Sequence, residues 1–299
     1  SGNHDSPERI AFASRIISES GIYLSPVYDG HIEKITVNDE FGPLNVYLLP
    51  FIKPAHVRRF YPEERIETYT DAIRIAIGNM QVPGDSRNIL ITHQFVTGAS
   101  RTESEEISVG GSDNVDASVF DKFDYVALGH IHRPQNIGSE KVRYCGTPLK
   151  YSFSEANDRK SVSIVEIGEN GAVAIRETPL VPLRDMVELK GKYEDLMLKS
   201  FYEGKTYQED YTHITLTDEE DIPDALAKLR VVYHNLMKLD YDNTRTRHRI
   251  EIGAAEDVET KSPLQLFSEF YLKQNGVEMN REETEFMSSL IEKVWESRQ

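Results

Sequence analysis

Short apolar runs that end in histidine constrain the fold of this chain more than any other feature. Residues 88–92 form one such run before His93, and residues 125–128 form another before Gly129 and His130. Runs of this length are typical of strands buried in a parallel sheet. Because open α/β sheets carry their sites at the carboxyl ends of their strands, these histidines are candidates for a functional site.

Strand-like and helix-like patterns alternate through residues 1–182. Residues 44–51 are predicted as a buried strand, and residues 63–80 as a helix whose Ile66, Tyr69, Ile73 and Ile77 share one face. A closing hairpin is predicted from residues 160–167 and 172–178, across a Glu-Asn-Gly turn. This alternation predicts a layered α/β domain.

A smaller α+β unit is predicted for residues 183–258, beyond a proline-rich shift in composition. Residues 211–217 alternate as a strand, and residues 249–252 resemble a returning strand. Between them an amphipathic helix is predicted over residues 221–240, and its apolar face is formed by Leu226, Leu229, Val232, Tyr233 and Leu236.

Residues 259–299 are predicted to form a separate helical segment. Ser262, Pro263 and Gln265 make a capping box with proline in the first turn, so a helix should begin there and end near Asn275. A second helix is predicted over residues 282–295, with aromatic and aliphatic residues on one face.

Composition limits the environment and the partners of the chain. A single cysteine, Cys145, cannot form an internal disulfide, which favours a reducing, cytoplasmic compartment and a buried structural thiol. No apolar run approaches the ~20 residues that span a bilayer. The net charge of −16 argues against nucleic-acid binding, although bound metal ions would supply local positive charge.

A local run of basic residues weakens the argument that the negative net charge makes against nucleic-acid binding. Arg245, Arg247 and Arg249 lie close together around His248. They could contact a DNA backbone, or they could lie on a solvated loop or strand edge. From the residues alone we slightly favour the solvated loop.

Candidate catalytic residues occur at the start of the chain. The amide oxygen of Asn3 suits a metal that is also held by imidazole. His4 could protonate a leaving oxygen, and Asp5 could accept its other imidazole proton. The alternative is a turn that caps a helix, and on these residues alone we favour that turn.

The other candidates follow the two apolar runs. His93 alone is weak evidence, because a histidine at a strand end is more often an ordinary structural residue. His130 and His132 are separated by one residue and could both reach a metal if the chain turns there, since Gly129 permits close backbone approach.

In combination, these segments resemble the calcineurin-like metallophosphoesterase superfamily and, within it, the SbcD nuclease subunits of bacterial SbcC–SbcD complexes. The resemblance covers the whole chain. It is carried by Gly2-Asn3-His4-Asp5-Ser6, Leu128-Gly129-His130-Ile131-His132, Tyr144-Cys145-Gly146-Thr147-Pro148, Tyr151-Ser152-Phe153-Ser154-Glu155, Phe267-Ser268-Glu269-Phe270-Tyr271 and Gln274-Asn275-Gly276.

The resemblance implies a metal-dependent DNA nuclease of the 3′–5′ double-strand exonuclease and hairpin endonuclease type, with two divalent cations, expected to be Mn²⁺. It implies that Asn3, His93 and His130 bind one cation and His132 the other. It implies that His4 is catalytic and that Asp5 orients it.

The resemblance also implies roles for the rest of the chain. Residues 183–258 would be a capping domain over the site, with Arg245, Arg247 and Arg249 near DNA. Residues 262–295 would dock on an SbcC-type ATPase in a helix-in-groove manner, an interpretation that we favour over packing against the chain's own core. A homodimer is expected from the family.

This sequence departs from the family pattern at its start, where two metal-binding motifs are missing. The family pattern begins with an Asp-x-His strand end and a Gly-Asp-x-x-Asp segment, which hold the first metal and bridge both, and neither precedes Gly2-Asn3-His4-Asp5-Ser6 in this sequence. We therefore expect a chain that lacks an upstream segment and is not competent alone. The alternatives are a general metallophosphatase acting on other esters and an inactive scaffold.

Overall fold

The computed structural model describes residues 1–18, 20–105, 113–244, 246, 262–275 and 277–297. Contacts divide the chain into two compact units, of which one holds the described residues up to Thr244 and the other holds the C-terminal helices. Within the described residues, no helix combines the length and apolarity needed to cross a bilayer.

The elements of the first unit follow one another in a mixed α/β order. Its helices are α1 (Pro7–Ser18), α2 (Pro54–Arg58), α3 (Tyr69–Gly78), α4 (Tyr193–Met197), α5 (Lys199–Tyr202) and α6 (Ala225–Leu229). Its strands are β1 (Glu33–Asp39), β2 (Gly42–Leu49), β3 (Arg87–His93), β4 (Phe95–Val96), β5 (Asn114–Val115), β6 (Tyr125–Gly129), β7 (Gln135–Ile137), β8 (Ser139–Tyr144), β9 (Ser161–Ile167), β10 (Val173–Pro179), β11 (Met186–Gly191), β12 (Tyr211–Leu216) and β13 (Asn235–Tyr241).

A six-stranded sheet, ordered β1-β2-β3-β6-β8-β7, positions the candidate residues. The four central strands run parallel and the two edge strands are antiparallel. The carboxyl ends of β2, β3, β6 and β8 therefore meet at one edge. The prediction of an α/β fold is confirmed, and so are the strands predicted over residues 44–51, 88–92 and 125–128.

The core of this sheet is apolar, and a polar contact between β2 and β3 lies inside it. Leu90, Val126 and Tyr144 are buried on neighbouring strands and pack with Ile73 and Ile77 of α3. Burying side chains of this size stabilises the fold by about 1.5–3 kcal/mol each. The buried Asn45 amide donates to the Asn88 amide oxygen at 3.1 Å across β2 and β3, and other contacts satisfy the remaining polar atoms of both side chains.

The helix predicted over residues 63–80 is shorter in the structure. It begins at Tyr69, because Thr68 forms a capping box with Asp71 in which the Thr68 hydroxyl accepts from the Asp71 N–H at 3.1 Å. The Asp71 carboxylate accepts from the Thr68 N–H at 3.0 Å. Ile66 is still buried, but from the segment that precedes the helix.

The predicted hairpin is confirmed, since β9 and β10 pair antiparallel. Beyond it, β11, β12 and β13 form a parallel three-stranded sheet. The strand predicted over residues 211–217 is confirmed as β12. The boundaries predicted at residues 182 and 258 remain predictions.

The helix predicted over residues 221–240 is wrong. Only the five residues of α6 are helical, and the chain then turns into β13. Four residues of the predicted apolar face, Leu229, Val232, Tyr233 and Leu236, are buried in one cluster, whereas Leu226 is exposed. A turn brings these side chains into the same core, and pairing with β12 gives residues 235–241 the backbone hydrogen bonds that a helix would have supplied.

The second unit contains α7 (Pro263–Asn275) and α8 (Arg281–Ser297). The predicted capping box is confirmed: the Gln265 N–H donates to the Ser262 hydroxyl at 3.2 Å, and the Ser262 N–H donates to the Gln265 side chain at 2.7 Å. Both predicted helices are confirmed. The strand predicted over residues 249–252 lies outside the described residues.

Candidate metal centre at the strand ends

The start of the chain lies against the end of β2. The Phe51 N–H donates to the Ser1 carbonyl at 2.9 Å, and the Ser1 hydroxyl donates to the Pro26 carbonyl at 2.7 Å. These bonds hold residues 1–3 beside the same sheet edge at which β3 ends in His93. Asn3 thereby reaches the two histidines that follow β3 and β6.

Three donor atoms converge there. The Asn3 Oδ1 lies 2.9 Å from Nε2 of His93 and 3.3 Å from Nδ1 of His130. The two imidazole rings lie edge to face, with centroids 5.2 Å apart. The register of the sheet explains this approach, because His93 pairs with Gly129 across β3 and β6 and His130 is the next residue.

Two glycines leave room for the His93 ring. A Cβ on Gly129 would lie 2.7 Å from Nδ1 of His93, and a Cβ on Gly2 would lie 2.8 Å from its Cε1. Both distances are shorter than ordinary van der Waals contact. The two glycines in the candidate motifs are therefore needed for close packing around this imidazole.

Burial keeps both imidazoles neutral. Burial, followed by the neighbouring His130 ring, lowers the pKa of His93 to about 4. The pKa of His130 is also lowered, by burial and then by the charge of Arg101. Arg101 is held by Asp113 through two 3.0 Å contacts and lies over the Phe95 ring. Neutral imidazoles have the lone pairs that metal binding requires.

His130 has an unusual backbone conformation. Its φ is 105°, in the region that favours glycine, and such conformations cost about 1–3 kcal/mol in non-glycine residues. Its Nε2 is buried and has no hydrogen-bond partner among the described residues. Strain and an unsatisfied polar atom in one residue are typical of a functional site rather than of a structural histidine.

His132 contacts a different set of residues. Its Nδ1 lies 2.8 Å from the Ser104 hydroxyl and 3.2 Å from Oε1 of Glu155. Its backbone N–H donates to Oε1 of Glu105 at 2.6 Å, and its carbonyl accepts from Lys160 at 2.9 Å. The structure thus surrounds one ring and its main chain with polar groups.

Sequence patterns do not connect these polar groups to His132. Glu155 lies in a segment that carries the family resemblance, but Ser104 and Glu105 belong to a run of small and acidic residues that resembles a solvated loop. Lys160 is predicted only as the start of a strand. No local spacing signal links any of them to the histidine.

The structure places the remaining candidates as follows. His4 is exposed. Asp5 accepts a 2.6 Å hydrogen bond from the Gly2 N–H, which closes the turn before α1. The role of Asp5 in orienting His4 therefore stays a prediction.

Two further predictions concern residues away from this centre. Arg245, Arg247 and Arg249 lie outside the described residues. Cys145, predicted as buried, is exposed, so that prediction is wrong. The Tyr144 side chain takes the buried place at the end of β8, and the chain turns outward at Cys145 before Gly146, whose φ is 76°.

The three donors at the strand ends fit a divalent cation. Ligand atoms bound about 2.0–2.2 Å from one metal lie about 3 Å from one another, and the two distances from Asn3 agree with that separation. The described residues contain no group of three or more His, Cys, Asp and Glu side chains suited to a metal. The cluster therefore depends on the amide oxygen of Asn3.

Comparison with known proteins identifies the family. The chain is similar to the SbcD subunit of the SbcCD nuclease of Staphylococcus epidermidis, with 31% identity over 263 residues, which cover 86% of this chain and 69% of the relative. It is similar to the protein of the same name from Staphylococcus saprophyticus, with 32% identity over 264 residues, which cover 86% and 68%. The chain belongs to the SbcD family of nuclease subunits.

A family model gives a second match. The model, described as "Type 5 capsule protein repressor C-terminal domain", matches residues 182–275. That stretch contains the β11–β13 sheet and α7. The resemblance to SbcD that the motifs carry is confirmed.

Proposed function

We propose that this member of the SbcD family is a divalent-metal-dependent phosphodiesterase that cleaves DNA as a 3′–5′ double-strand exonuclease and hairpin endonuclease. The observation that carries the proposal is the convergence of Asn3, His93 and His130 at the ends of parallel strands. The names of the relatives support the nuclease part. We further propose that the six-stranded sheet belongs to a metallophosphoesterase layer.

In this proposal Asn3, His93 and His130 bind one cation and His132 contributes to a second. A bound Mn²⁺ would stabilise negative charge on phosphate oxygens and lower the pKa of bound water. His93 and His130 remain neutral at physiological pH, so cation binding does not first require their deprotonation. The glycines at positions 2 and 129 keep the His93 ring against Asn3.

His4 is proposed as the residue that protonates the leaving oxygen. It is exposed beside the cluster, where a substrate can reach it, and its neighbour Asn3 is fixed by contacts with two histidines. A group that transfers a proton needs access to the substrate, whereas a metal ligand needs a fixed position. The exposed His4 suits the first role, and Asn3, which contacts two histidines, suits the second.

The C-terminal helices are proposed to bind an SbcC-type ATPase. Phe270 of α7 and Phe286 of α8 are 58% and 66% exposed, and Leu272 and Leu290 are also exposed. Tyr271 donates to Glu283 at 3.0 Å, which links the two helices. Exposed apolar side chains on paired helices suit a helix-in-groove interface, and the names of the relatives indicate an SbcCD complex.

The test uses the full-length gene product with an SbcC-type ATPase and Mn²⁺. We expect cleavage of a hairpin-ended duplex, and loss of cleavage with the chelator EDTA. Turnover of a nitrophenyl phosphodiester with intact DNA would contradict the nuclease proposal. For the assignment of the cation site, Asn3→Ala should weaken Mn²⁺ binding, measured by calorimetry.

His4 needs a variant of its own. We expect His4→Ala to keep Mn²⁺ affinity and to lose cleavage, by about 10²–10⁴-fold if His4 is a general acid. His31→Ala is the matched control, because the His31 side chain is 91% exposed and faces Asp29. Loss of metal together with activity in His4→Ala would mean that His4 is a ligand instead.

A further inference from the structure

Proton accounting around His132 determines which ring nitrogen is protonated. The Ser104 hydroxyl donates to Oε1 of Glu155 at 2.5 Å, and a hydroxyl has only one proton. Toward Nδ1 of His132, 2.8 Å away, Ser104 can then only accept. Because the Ser104 proton is already used, Thr102 must be the donor in its 2.8 Å contact with Ser104. Both oxygens near Nδ1 are therefore acceptors, and Nδ1 must carry the proton.

This conclusion requires that Glu155 be ionised. Its side chain is fully buried and forms a 2.5 Å ion pair with Lys160, whose side chain is only 3% exposed. The Lys160 ammonium, which can only donate, bonds Oε2 at 2.5 Å, and the Ser104 hydroxyl donates to Oε1, so both oxygens of Glu155 accept hydrogen bonds. An ionised carboxylate is an acceptor only.

Lys160 also fixes the main chain of the same histidine. Besides Glu155, its ammonium donates to the His132 carbonyl at 2.9 Å and to the Thr147 hydroxyl at 3.1 Å. These three bonds use its three donors. One buried ion pair thus holds both the His132 backbone and the acceptor beside its ring.

We propose that Ser104, Glu155 and Lys160 are positioning residues that hold His132 as the Nδ1–H tautomer and leave the lone pair of Nε2 free to bind a cation. Metal-binding histidines usually donate their other ring N–H to a carboxylate or carbonyl, which makes them better ligands. The part concerning the cation rests on the proposed function. The part concerning the tautomer rests on the hydrogen bonds alone.

The tautomer can be measured without metal. We would label the histidines of the full-length gene product with ¹⁵N, remove metals with a chelator, and record ring-nitrogen spectra at alkaline pH, where free imidazole is neutral. His132→Gln identifies the His132 signals. We expect Nδ1 to be protonated and Nε2 to be unprotonated. Protonation at Nε2 in the wild-type protein would overturn the proposal.

Glu155→Gln makes the test sharper. Lys160 would retain the amide oxygen, and the amide NH₂ would then face Nδ1 as a donor where the carboxylate was an acceptor. We expect the tautomer to shift toward Nε2–H and Mn²⁺ affinity to fall by about 10–100-fold. A Glu155→Gln protein that keeps Nδ1–H would contradict the assignment. If Glu155→Gln does not fold, Ser104→Ala replaces it: one of the two acceptors beside Nδ1 is lost while the Glu155 carboxylate stays, so we expect Nδ1–H to remain the major tautomer with a larger Nε2–H fraction than in the wild type. An unchanged tautomer ratio would contradict the positioning role of Ser104.

Glu105→Gln is the matched control. Glu105 is also buried and contacts His132, but its carboxylate accepts from the backbone N–H groups of His132 and Thr102 rather than from the imidazole ring. Its substitution should leave the tautomer unchanged. If wild-type His132 is Nδ1–H but the protein binds no Mn²⁺, the proposed function fails while the positioning role stands.

Discussion

Replacing Gly129 by alanine tests the packing of the candidate metal centre. The new Cβ would lie 2.7 Å from Nδ1 of His93. Ordinary contact begins at 3.4 Å, so the ring or the strand must move by 0.7 Å or more. His93 also contacts Asn3 at 2.9 Å, so this movement would change the spacing of two donors.

The magnitude follows from two opposing effects. Overpacking of this kind costs about 1–3 kcal/mol, whereas a Gly→Ala change stabilises by about 0.4–1 kcal/mol through the unfolded chain. We therefore expect Gly129→Ala to lower the free energy of unfolding by about 1–2 kcal/mol. Mn²⁺ affinity should fall by about 10–100-fold, as for other changes that displace a ligand.

Gly84→Ala is the control, because a Cβ at that exposed position would meet nothing within 4 Å and its φ requires no glycine. Urea denaturation of the metal-free proteins gives the stability difference, and titration calorimetry gives the Mn²⁺ affinity. If Gly129→Ala matches Gly84→Ala in both measurements, His93 is not confined as the structure indicates, and the argument from close packing is refuted.

Three further predictions concern pH, the core and the thiol. Folding lowers the pKa of His93 from 6.5 to about 4, so the metal-free protein should become less stable as the pH falls between those values. The free energy of unfolding, measured by urea denaturation at each pH, should fall by up to about 3 kcal/mol. The His93→Gln protein should not show this loss. Tyr144→Phe should lower the free energy of unfolding by about 1–3 kcal/mol in urea denaturation, since the buried hydroxyl donates to the Gln94 carbonyl and accepts from the Val96 N–H. Tyr151→Phe, at an exposed position, should leave the free energy of unfolding nearly unchanged. Cys145 should react with a thiol reagent in the native protein, and a requirement for denaturant would contradict its exposure.

The sequence predicted correctly those features that depend on residues close together in the chain. The strands before His93 and His130 are short apolar runs, and Ser262 begins α7 through contacts within one turn. The predicted helix over residues 221–240 failed because apolar spacing records only which side chains are buried. Leu229 and Leu236 are both buried, but on different elements that one turn brings together.

The surroundings of His132 were beyond prediction for a related reason. Ser104, Glu155 and Lys160 lie 28, 23 and 28 residues from it, and each is of a type that is usually exposed. Only the folded chain shows that the Lys160 ammonium and the Glu155 carboxylate are buried as a pair. A buried ion pair does not by itself show that it stabilises the fold. The contacts of this pair with His132, a candidate metal ligand, therefore say more about its role than its burial does.

The register between β3 and β6 brings His93 and His130, which are far apart in the sequence, to the same place at the sheet edge. His93 lies opposite Gly129, so His130 follows at the point where the strand ends and its backbone takes a positive φ. A shift of one residue would turn alternate side chains to the other face of the sheet. His93 would then leave Asn3, which is held at the end of β2 by the bond between Ser1 and Phe51. The centre therefore requires both the order of its motifs and one alignment of three adjacent strands.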